Sequence, residues 1–348
     1  GTWMQQIAMS WLVYRLTNSA FLLGMAGFLG LIPTFLLAPF SGLLSDRLNR
    51  HRILVITQTL AMIQAFVLAI LDLTGMIDVW HLIILILFLG FVNAFDAPAR
   101  QAFVVDMVEK KEDLSNAIAL NSFLFNGARL VGPSIGGIVI SILGEGLCFL
   151  LNGLSFLAVI VALLAMKTTF KKKEIQRTRV WHGLKEGFTY AFGFAPIRFI
   201  LFLLGLVSLM GMPYTVLMPI FAKDILHGGP HTLGFLMAAS GMGAVAGAIF
   251  LASRKSVLGL GRIIVAASII FGSGLITFSL SHVLWLSLFL LVFTGFGMMV
   301  QMASSNTILQ TIVEDDKRGR VMSLYAMAFM GMAPFGSLLA GSLASKIG

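Results

Sequence analysis

Residues 82–90 have the sequence LIILILFLG, in which every position is apolar or glycine. A transmembrane strand would alternate apolar and polar residues over about ten positions. This stretch is apolar on every side, so it predicts a helix. The surrounding run extends from about 80 to 104, which is long enough to cross a bilayer, since a crossing helix needs about 20 residues. We therefore expect a membrane span here.

Similar runs recur along the whole chain. The 348 residues are 58% hydrophobic and 11% charged, whereas soluble proteins are roughly 25% charged. This composition excludes a typical soluble enzyme and a disordered chain, and it predicts an all-α polytopic membrane protein. We predict eleven spans, at about 1–14, 20–44, 53–74, 80–104, 115–142, 146–166, 197–222, 231–252, 262–280, 283–308 and 321–345.

Positive charge is concentrated in alternate loops. Of the 24 Lys and Arg residues, 20 lie in or beside the loops after spans 2, 4, 6, 8 and 10, three lie in the opposite set, and Arg129 lies inside a span. Because cationic loops remain in the cytoplasm, this asymmetry predicts the orientation of the chain. The net charge of +9 is then explained by loops that face anionic lipid, and no nucleic-acid partner is expected.

The chain is predicted to consist of two related halves. Gly90–Phe91 and Val108–Glu109 recur as Gly295–Phe296 and Val313–Glu314 at one offset of 205 residues. We assign 1–166 to an N-terminal six-helix half, 167–195 to a cytoplasmic linker and 196–348 to a C-terminal half with five of six helices. Duplicated transporters place a substrate site near the midplane between their repeats.

The linker and the two chain ends carry further expectations. Trp181, Leu184, Phe188 and Phe192 recur at helical spacing, which predicts a short interfacial helix on the cytoplasmic surface. The adjacent run Lys171–Lys173 is either a topology anchor or a lipid-recognition site. Because the first predicted span is too short to cross unaided and no span follows the eleventh, we expect a twelve-helix protein clipped at both ends, with both intact termini in the cytoplasm.

A charged segment follows span 2, where residues 42–52 read GLLSDRLNRHR. An acidic side chain at a helix end can pair with neighbouring arginines or with the positive N-terminus of another helix. We expect such a contact to hold the cytoplasmic side closed, and the alternative is a purely topological role for the arginines. The gating candidates are Gly42, Asp46, Arg47 and Arg50.

Spans 5 and 8 carry small residues that favour close packing. Residues 132–137 read GPSIGG, and Pro133 removes one helical hydrogen bond and predicts a kink. Small residues allow another backbone to approach closely, so we predict that spans 5 and 8 cross tightly between the halves, with ordinary small-residue packing as the alternative. The residues concerned are Gly132, Gly136 and Gly137 in span 5, and Ala239, Gly243 and Gly247 in span 8.

Two ionisable residues stand out inside the predicted spans, where such groups are costly and are functional candidates. Asp96 in span 4 and Arg129 in span 5 are expected to face a central cavity and to change their pairing on protonation or substrate binding. The alternative is a static ion pair. Other polar residues are candidates for the same cavity or for interhelical hydrogen bonds: Gln5, Gln6, Asn93, Asn126, Tyr214, Gln301 and Asn306.

Cofactor chemistry has little support in the sequence. Cys148 is the only cysteine, which excludes a disulfide scaffold and a cysteine-based zinc or iron–sulfur site. Asp224, His227 and His231 suggest a metal site, but Gly228–Pro230 interrupts the helix that would align them. The chain has no Walker-type phosphate loop and no H-E-x-x-H pair. We expect no metal, no cofactor and no enzymatic activity.

The segment 42–52 resembles the loop 2–3 signature of the major facilitator superfamily, G-x-L-[AS]-D-R-x-G-R-[RK], and departs from it at Asn49 and His51. GPxxGG at 132–137 resembles the helix 5 signature that the superfamily associates with antiporters. The segments at 1–6, 96–101 and 318–321 are similar to a bacterial exporter branch of that superfamily, so that the resemblance covers essentially the whole chain.

The resemblance implies a secondary transporter of the bacterial cytoplasmic membrane. Its implied activity is export of a small molecule, such as a drug, siderophore or metabolite, by alternating access with proton-coupled antiport. The implied partners are the substrate, protons and the lipid bilayer, and the implied state is a monomer. Two alternatives remain: a lipid or lysolipid translocator, and a non-transporting membrane sensor or assembly factor whose centre would be closed and apolar.

Overall fold

The computed structural model describes residues 1–108, 113–166, 188–254 and 256–347, and the regular structure within these ranges is entirely helical. The helices are α1 (Thr2–Thr17), α2 (Ala20–Arg47), α3 (Arg50–Leu73), α4 (Val79–Asp106), α5 (Leu114–Ala165), α6 (Ala195–Leu206), α7 (Tyr214–Ile220), α8 (Pro230–Ala252), α9 (Leu260–Ser279), α10 (Leu284–Ile312) and α11 (Asp315–Ile347). Two π-helical turns, Val207–Gly211 and Phe221–Ile225, follow α6 and α7.

The helix α5 contains a reversal at Gly144, where φ is 83° and ψ is 172°. Glycine adopts this region without the steric cost that a Cβ would bring. Before the reversal Gly136 approaches Met4 of α1, and after it Asn152 returns to the neighbouring Gln5. The two predicted spans on either side of Gly144 are therefore two arms of one element, 114–143 and 145–165.

The helices present apolar surface outward. Nine segments of the described chain are long and apolar enough to cross a membrane, and between 28% and 44% of each is buried inside the protein. One of them, Phe123–Ala165, covers the second arm of α5 and most of the first, and α1 has only 16 residues. With the arms counted separately and α1 added, the described helices form the eleven rods expected. The chain is an all-α polytopic membrane protein.

The seventh rod is irregular because of its prolines. It runs from Ala195 to Ile225 as α6, a π-helical turn, α7 and a second π-helical turn. Pro213 stands just before α7 and Pro219 lies within it. Since proline cannot donate the helical hydrogen bond, the regular α ladder is interrupted here, and each π-helical turn ends or begins within two residues of a proline.

Residues 1–166, called here the first part, meet residues 188–347, the second part, along two helix pairs. Where α2 meets α11, a Cβ placed on Gly24 would lie 2.7 Å from the Cα of Gly341. Where α5 meets α8, a Cβ on Gly137 would lie 3.0 Å from the Cα of Gly234. The backbones of both pairs are therefore in direct contact, which small residues alone permit.

Both glycine contacts lie toward the same end of the molecule. Arg15, at the end of α1, pairs with Glu145 beside the α5 reversal at 2.9 Å, and α2 begins just after α1 ends. This end is called the Glu145 end. The opposite end, where α3 begins at Arg50, is called the Arg50 end.

Candidate transport cavity

A cavity of about 400 Å³ lies between the two parts. Its wall is built from α1, α2, α4 and α5 on one side and from α7, α8 and α11 on the other. Most of the lining is apolar, with a few polar side chains, which is typical of small-molecule sites. The polar lining residues are Thr2, Gln6, Ser10, Asn93, Thr215 and Ser337.

Two of the predicted cavity residues line this space. Gln6 of α1 and Asn93 of α4 are both in the wall, and both side chains are exposed. Each amide offers two N–H donors and one carbonyl acceptor. Together they give an otherwise apolar chamber a pair of neutral hydrogen-bonding groups on neighbouring helices.

Gln5 does not face the cavity, although it was a predicted cavity residue. Its side chain is 2% exposed. Gln5 Nε2 donates to Gln64 Oε1 at 2.8 Å, and Asn152 Nδ2 donates to Gln5 Oε1 at 2.6 Å. Successive helix residues point about 100° apart, so Gln6 faces the chamber while Gln5 ties α1 to α3 and to the second arm of α5.

The buried carboxylate of Asp96 has different partners from the one expected. Asp96 is 5% exposed, and its Oδ1 accepts hydrogen bonds from Thr57 Oγ1 at 2.8 Å and from Gln58 Nε2 at 2.7 Å. Arg100, one turn along α4, lies 3.6 Å from Oδ2. The carboxylate is thus held against α3 inside the first part, and it is not among the residues that line the cavity.

Arg129, the expected partner of Asp96, lies beside α1 instead. Its guanidinium carbon is 6.0 Å from the centre of the Trp3 ring, at the outer limit of a cation–π contact, and Trp3 itself lines the cavity. The predicted Asp96–Arg129 pairing is therefore wrong for this conformation. Although α4 and α5 follow one another in the sequence, α4 packs mainly against α2 and α3, whereas α5 packs mainly against α1, α3 and α8.

The remaining polar candidates are engaged in local contacts. Tyr214 at the start of α7 shares a hydrogen bond of 2.7 Å with Ser240 of α8. Asn126 is half-buried in the first arm of α5. Asn306 accepts a hydrogen bond from Gln310 one turn later in α10. None of these three side chains is in the wall of the cavity as the structure describes it.

Gln301 is enclosed within the second part. Its side chain is fully buried, its Nε2 lies 3.5 Å from Ser305 Oγ, and its Oε1 has no hydrogen-bond partner among the described residues. Gln301 occupies the position 205 residues after Asp96, yet it also lies outside the cavity wall. The expected meeting of Asp96, Arg129 and Gln301 in one chamber does not occur.

The glycines of the 132–137 motif contact two different helices. A Cβ on Gly132 would lie 2.7 Å from the Cβ of Trp3, and one on Gly136 would lie 3.0 Å from the Cα of Met4. These two glycines therefore seat α5 on α1. Gly137, one position further, faces α8 as described above, and Pro133 between them contributes to the cavity wall.

The α8 side of the crossing is not formed by the residues expected. Gly243 and Gly247 face α10: a Cβ on Gly243 would meet the carbonyl oxygen of Val292, and one on Gly247 would lie 3.0 Å from that of Phe296. Gly234, which meets α5, precedes Gly243 by nine residues. Nine steps of 100° leave a net rotation of about 180°, so Gly243 and Gly247 pack inside the second part.

The turn between α2 and α3 is stabilised by local contacts. Arg50 Nη1 lies 3.0 and 2.9 Å from the two carboxylate oxygens of Asp106 at the end of α4. Asn49, one departure from the family signature, caps α3 by accepting from the backbone N–H of Arg52 at 3.3 Å. His51, the other departure, bonds the carbonyl of Leu163 at 2.7 Å. Both departures thus have a structural role.

Parts of two predicted features lie outside what the structure describes. Gly42, Asp46 and Arg47 belong to α2, but their side-chain surroundings are outside the described set. The linker residues Trp181 and Leu184 and the run 171–173 are likewise outside it. Of the proposed interfacial helix, Phe188 and Phe192 are described, and their rings stack with centroids 4.1 Å apart.

Polar contacts join the two parts at the Glu145 end. The hydroxyl of Tyr14 on α1 donates to the carboxylate of Asp224. Lys223 donates to Asn18 Oδ1 at 2.6 Å, and its ammonium lies 5.3 Å from the centre of the Tyr14 ring. These side chains tie the end of α1 to the end of the seventh rod, so this end of the cavity is closed by charge as well as by glycine contacts.

Sequence reasoning missed this polar closure. Ser141 Oγ in the first arm of α5 also bonds His231 of α8, at 3.1 Å from its backbone nitrogen and 3.2 Å from Nδ1. The sequence suggests Asp224 and His231 only as metal ligands, and no metal-binding group is found among the described His, Cys, Asp and Glu residues. Lys223 could have indicated this closure in the sequence, because it is one of the few cations in the loops at the Glu145 end.

A membrane-spanning helical protein with a partly polar cavity between two groups of helices has the structure of a multi-pass membrane transporter. The chain belongs to the transmembrane secretion effector family of the major facilitator superfamily, whose model matches residues 1–348. Its members and relatives are transporters rather than enzymes.

Characterised relatives extend over the whole chain. The staphyloferrin A transporter of Staphylococcus aureus is 27% identical over 353 positions, which cover 100% of this chain and 87% of that protein. The multidrug efflux pump Tap of Mycolicibacterium fortuitum is 24% identical over 357 positions, with coverage of 100% and 87%. The macrolide efflux protein A of Streptococcus pyogenes is 24% identical, with coverage of 99% and 85%.

Solved structures agree on the fold. The nucleoside transporter NupG superposes with a TM-score of 0.75 at 13% identity, covering 99% of this chain and 88% of that one. A bacterial homologue of the iron transporter ferroportin in an inward-facing state gives a TM-score of 0.69 at 16% identity, covering 99% and 89%. At these identities the likeness establishes the major-facilitator fold.

Proposed function

We propose that the protein exports a small molecule from the bacterial cytoplasm by alternating access, driven by inward proton flow. The observation that carries the proposal is the cavity between the two parts, with Gln6 and Asn93 in its wall. A non-transporting sensor is disfavoured by this partly polar chamber, because such a protein needs no central cavity. The direction of transport is supported by the relatives, among which efflux proteins recur.

The proposed topology places the Arg50 end in the cytoplasm and the Glu145 end outside. It rests on the predominance of Lys and Arg in the loops at the Arg50 end. In this orientation the Tyr14–Asp224 contact and the Gly137–Gly234 contact close the outer side. The structure then corresponds to an inward-facing state of a monomer in the cytoplasmic membrane, ready to receive substrate from the cell interior.

Movement between states would be a rocking of the first part against the second. We assign the parts to the six-helix half 1–166 and the half that begins at 196, joined by the 167–195 linker. In duplicated transporters the two halves move largely as rigid bodies around a fixed midplane site. The glycine contacts at Gly24 and Gly137 are suited to this motion because bare backbones can slide without rotamer changes.

Asp96 is the proposed site of proton coupling. As a carboxylate it accepts from Thr57 and Gln58, whereas a protonated carboxyl would itself carry a donor and would lose its attraction for Arg100. Protonation would therefore loosen the hold of α4 on α3. Since α4 also carries Asn93, a shift of this helix would move a residue that lines the cavity.

The proposal is tested by efflux from proteoliposomes with an imposed pH gradient. Staphyloferrin A, macrolides and a panel of lipophilic drugs are offered as substrates, with and without a protonophore. We expect at least one compound to be moved against its gradient, and the protonophore to stop that movement. Movement that is indifferent to the protonophore would remove the proton-coupling claim.

A matched pair of variants links transport to the cavity. Ala26 lines the chamber, so Ala26→Trp is expected to block export. Ala266 on α9 is exposed on the outer surface, and Ala266→Trp is expected to export normally. If the two variants behave alike, the chamber is not the transport site.

A further inference from the structure

A second concavity of about 340 Å³ lies on the flank of the first part, near the Arg50 end. It is formed by Leu44 of α2 and Leu48 just after it, by α3 around Ile56 and Leu60, and by α4 around Phe88 and Phe91. Among the described residues that line it, Thr57 alone has a polar side chain. The groove shares no lining residue with the central cavity, so the two are separate sites.

The groove opens toward the bilayer. Ile56 is 59% exposed, Phe91 is 46% exposed and Leu48 is 47% exposed. On a membrane-spanning protein, apolar side chains with this exposure face hydrocarbon, because lipid chains are as apolar as the side chains themselves. The chemistry that fits a bilayer-facing apolar groove of this size is an acyl chain.

Positive charge stands at the mouth of the groove. Arg52 precedes Ile56 by one helical turn, so it lies on the same face of α3, and its side chain is exposed. It makes no ion pair with any residue that the structure describes. The charge of Arg52 is therefore available to a group at the membrane surface, where anionic headgroups lie.

We propose that the first part binds one anionic phospholipid, with an acyl chain in the groove and the phosphate at Arg52. In the proposed topology this lipid belongs to the cytoplasmic leaflet. A phospholipid of net negative charge fits this site, because the groove supplies the apolar contact and Arg52 supplies the positive charge. The binding is a property separate from export and is measured without it.

The site adjoins the buried carboxylate. Thr57, in the wall of the groove, donates its hydroxyl to Asp96 Oδ1 at 2.8 Å. A chain that fills the groove excludes water from this wall and keeps the Thr57–Asp96 contact dry. This geometry implies that the lipid affects proton coupling. Only this effect, and not the lipid binding itself, rests on the proposed function.

The test measures equilibrium binding of dioleoylphosphatidylglycerol, labelled on its acyl chain, to purified delipidated protein in detergent, with dioleoylphosphatidylcholine as the neutral comparison. The wild type should bind phosphatidylglycerol about fivefold more tightly, the difference that one interfacial cation provides. Arg52→Gln should reduce the affinity for phosphatidylglycerol to that for phosphatidylcholine. Ile56→Trp, which fills the groove, should weaken binding of both lipids.

Matched controls exclude general effects on surface charge and on stability. Arg262→Gln removes an exposed cation at the start of α9, and Ile70→Trp enlarges a side chain of α3 that is 60% exposed, close to the 59% of Ile56. Both should bind as the wild type does. Equal affinity of the wild type for the two lipids, or an unchanged charge preference in Arg52→Gln, would overturn the proposal. If Ile56→Trp does not fold, the comparison of Arg52→Gln with the wild type tests the proposal by itself.

Discussion

Gly137 of α5 and Gly234 of α8 face each other across the junction of the two parts. A Cβ on Gly137 would lie 2.5 Å from the carbonyl oxygen of Pro230 and 3.0 Å from the Cα of Gly234, while one on Gly234 would lie 2.6 Å from the carbonyl of Pro133. Each helix backbone thus occupies the space that a side chain of the other would need. The closure of the Glu145 end depends on this mutual absence of Cβ atoms.

Gly137→Ala is expected to destabilise the protein by about 1–3 kcal/mol, the usual cost of overpacking a close contact. The measurement is the thermal unfolding of purified protein in detergent. Gly127→Ala is the matched control, because Gly127 lies in the same arm of α5 and a Cβ there meets nothing within 4 Å. An equal loss of stability in both variants would contradict the crossing described here.

Asp96→Asn is expected to uncouple export from the pH gradient. The amide keeps the shape of the side chain but cannot take up a proton, so exchange of substrate across the membrane should persist while accumulation stops. Asp78→Asn is the control, since Asp78 caps α4 and Asn caps a helix equally well. Accumulation driven by a pH gradient in Asp96→Asn would exclude Asp96 as the coupling site.

Tyr14→Phe is expected to shift the protein toward a state that is open at the Glu145 end. The variant removes the hydroxyl that donates to Asp224, and a hydrogen bond to a charged group contributes roughly 1.5–3 kcal/mol, or at least about a tenfold change in the ratio of states. The distance between spin labels at Met76→Cys and Leu280→Cys, in a Cys148→Ser background, reports the opening.

The control for this shift is Tyr325→Phe. Its hydroxyl donates to the carbonyl of Met302 at 3.4 Å, entirely within the second part. In Tyr325→Phe, the distance between the two spin labels should equal the distance in the labelled protein that keeps both tyrosines. If Tyr14→Phe also leaves the distance distribution unchanged, the contact at the Glu145 end does not govern opening.

Gln64→Leu is expected to lower stability, whereas Gln6→Leu is expected to change substrate affinity. Gln64→Leu removes the acceptor of buried Gln5 and should cost about 1–3 kcal/mol of stability, without changing the order of substrate preference. Gln6→Leu alters a cavity wall and should change the apparent affinity for polar substrates at unchanged melting temperature. Melting curves and transport affinities of the two variants check both statements, and a reversed pattern would contradict them.

The sequence was sufficient to predict the number and course of the helices. Runs such as 82–90 are long and apolar on every side, so their helical state depends on local composition and not on their neighbours. The close approach of α5 to α8 was also predicted from the glycines at 132–137, although only Gly137 makes it, and Gly132 and Gly136 contact α1 instead. The gap between the predicted spans 115–142 and 146–166 coincides with the reversal at Gly144.

Rotation about each helix axis was not predictable. Gly243 was expected to face α5 but faces α10, because a stripe of small residues is equally compatible with either neighbour. Asp96 and Arg129 were expected to meet because their helices are consecutive in the sequence, whereas α4 packs against α2 and α3, and Asp96 bonds Thr57 and Gln58. These choices depend on the packing of several helices at once, which no single stretch of sequence encodes.

The central claim is that the two parts must separate at the Glu145 end for export. Ser141 Oγ lies 3.1 Å from the backbone nitrogen of His231, so a Ser141→Cys/His231→Cys pair in a Cys148→Ser background can be oxidised to link α5 to α8. Ser281→Cys/Ser287→Cys is the control, because these hydroxyls lie 2.9 Å apart within the second part. We predict that export stops when the first pair is oxidised, resumes after reduction and continues in the oxidised control. Export at the normal rate with α5 and α8 linked would contradict the account.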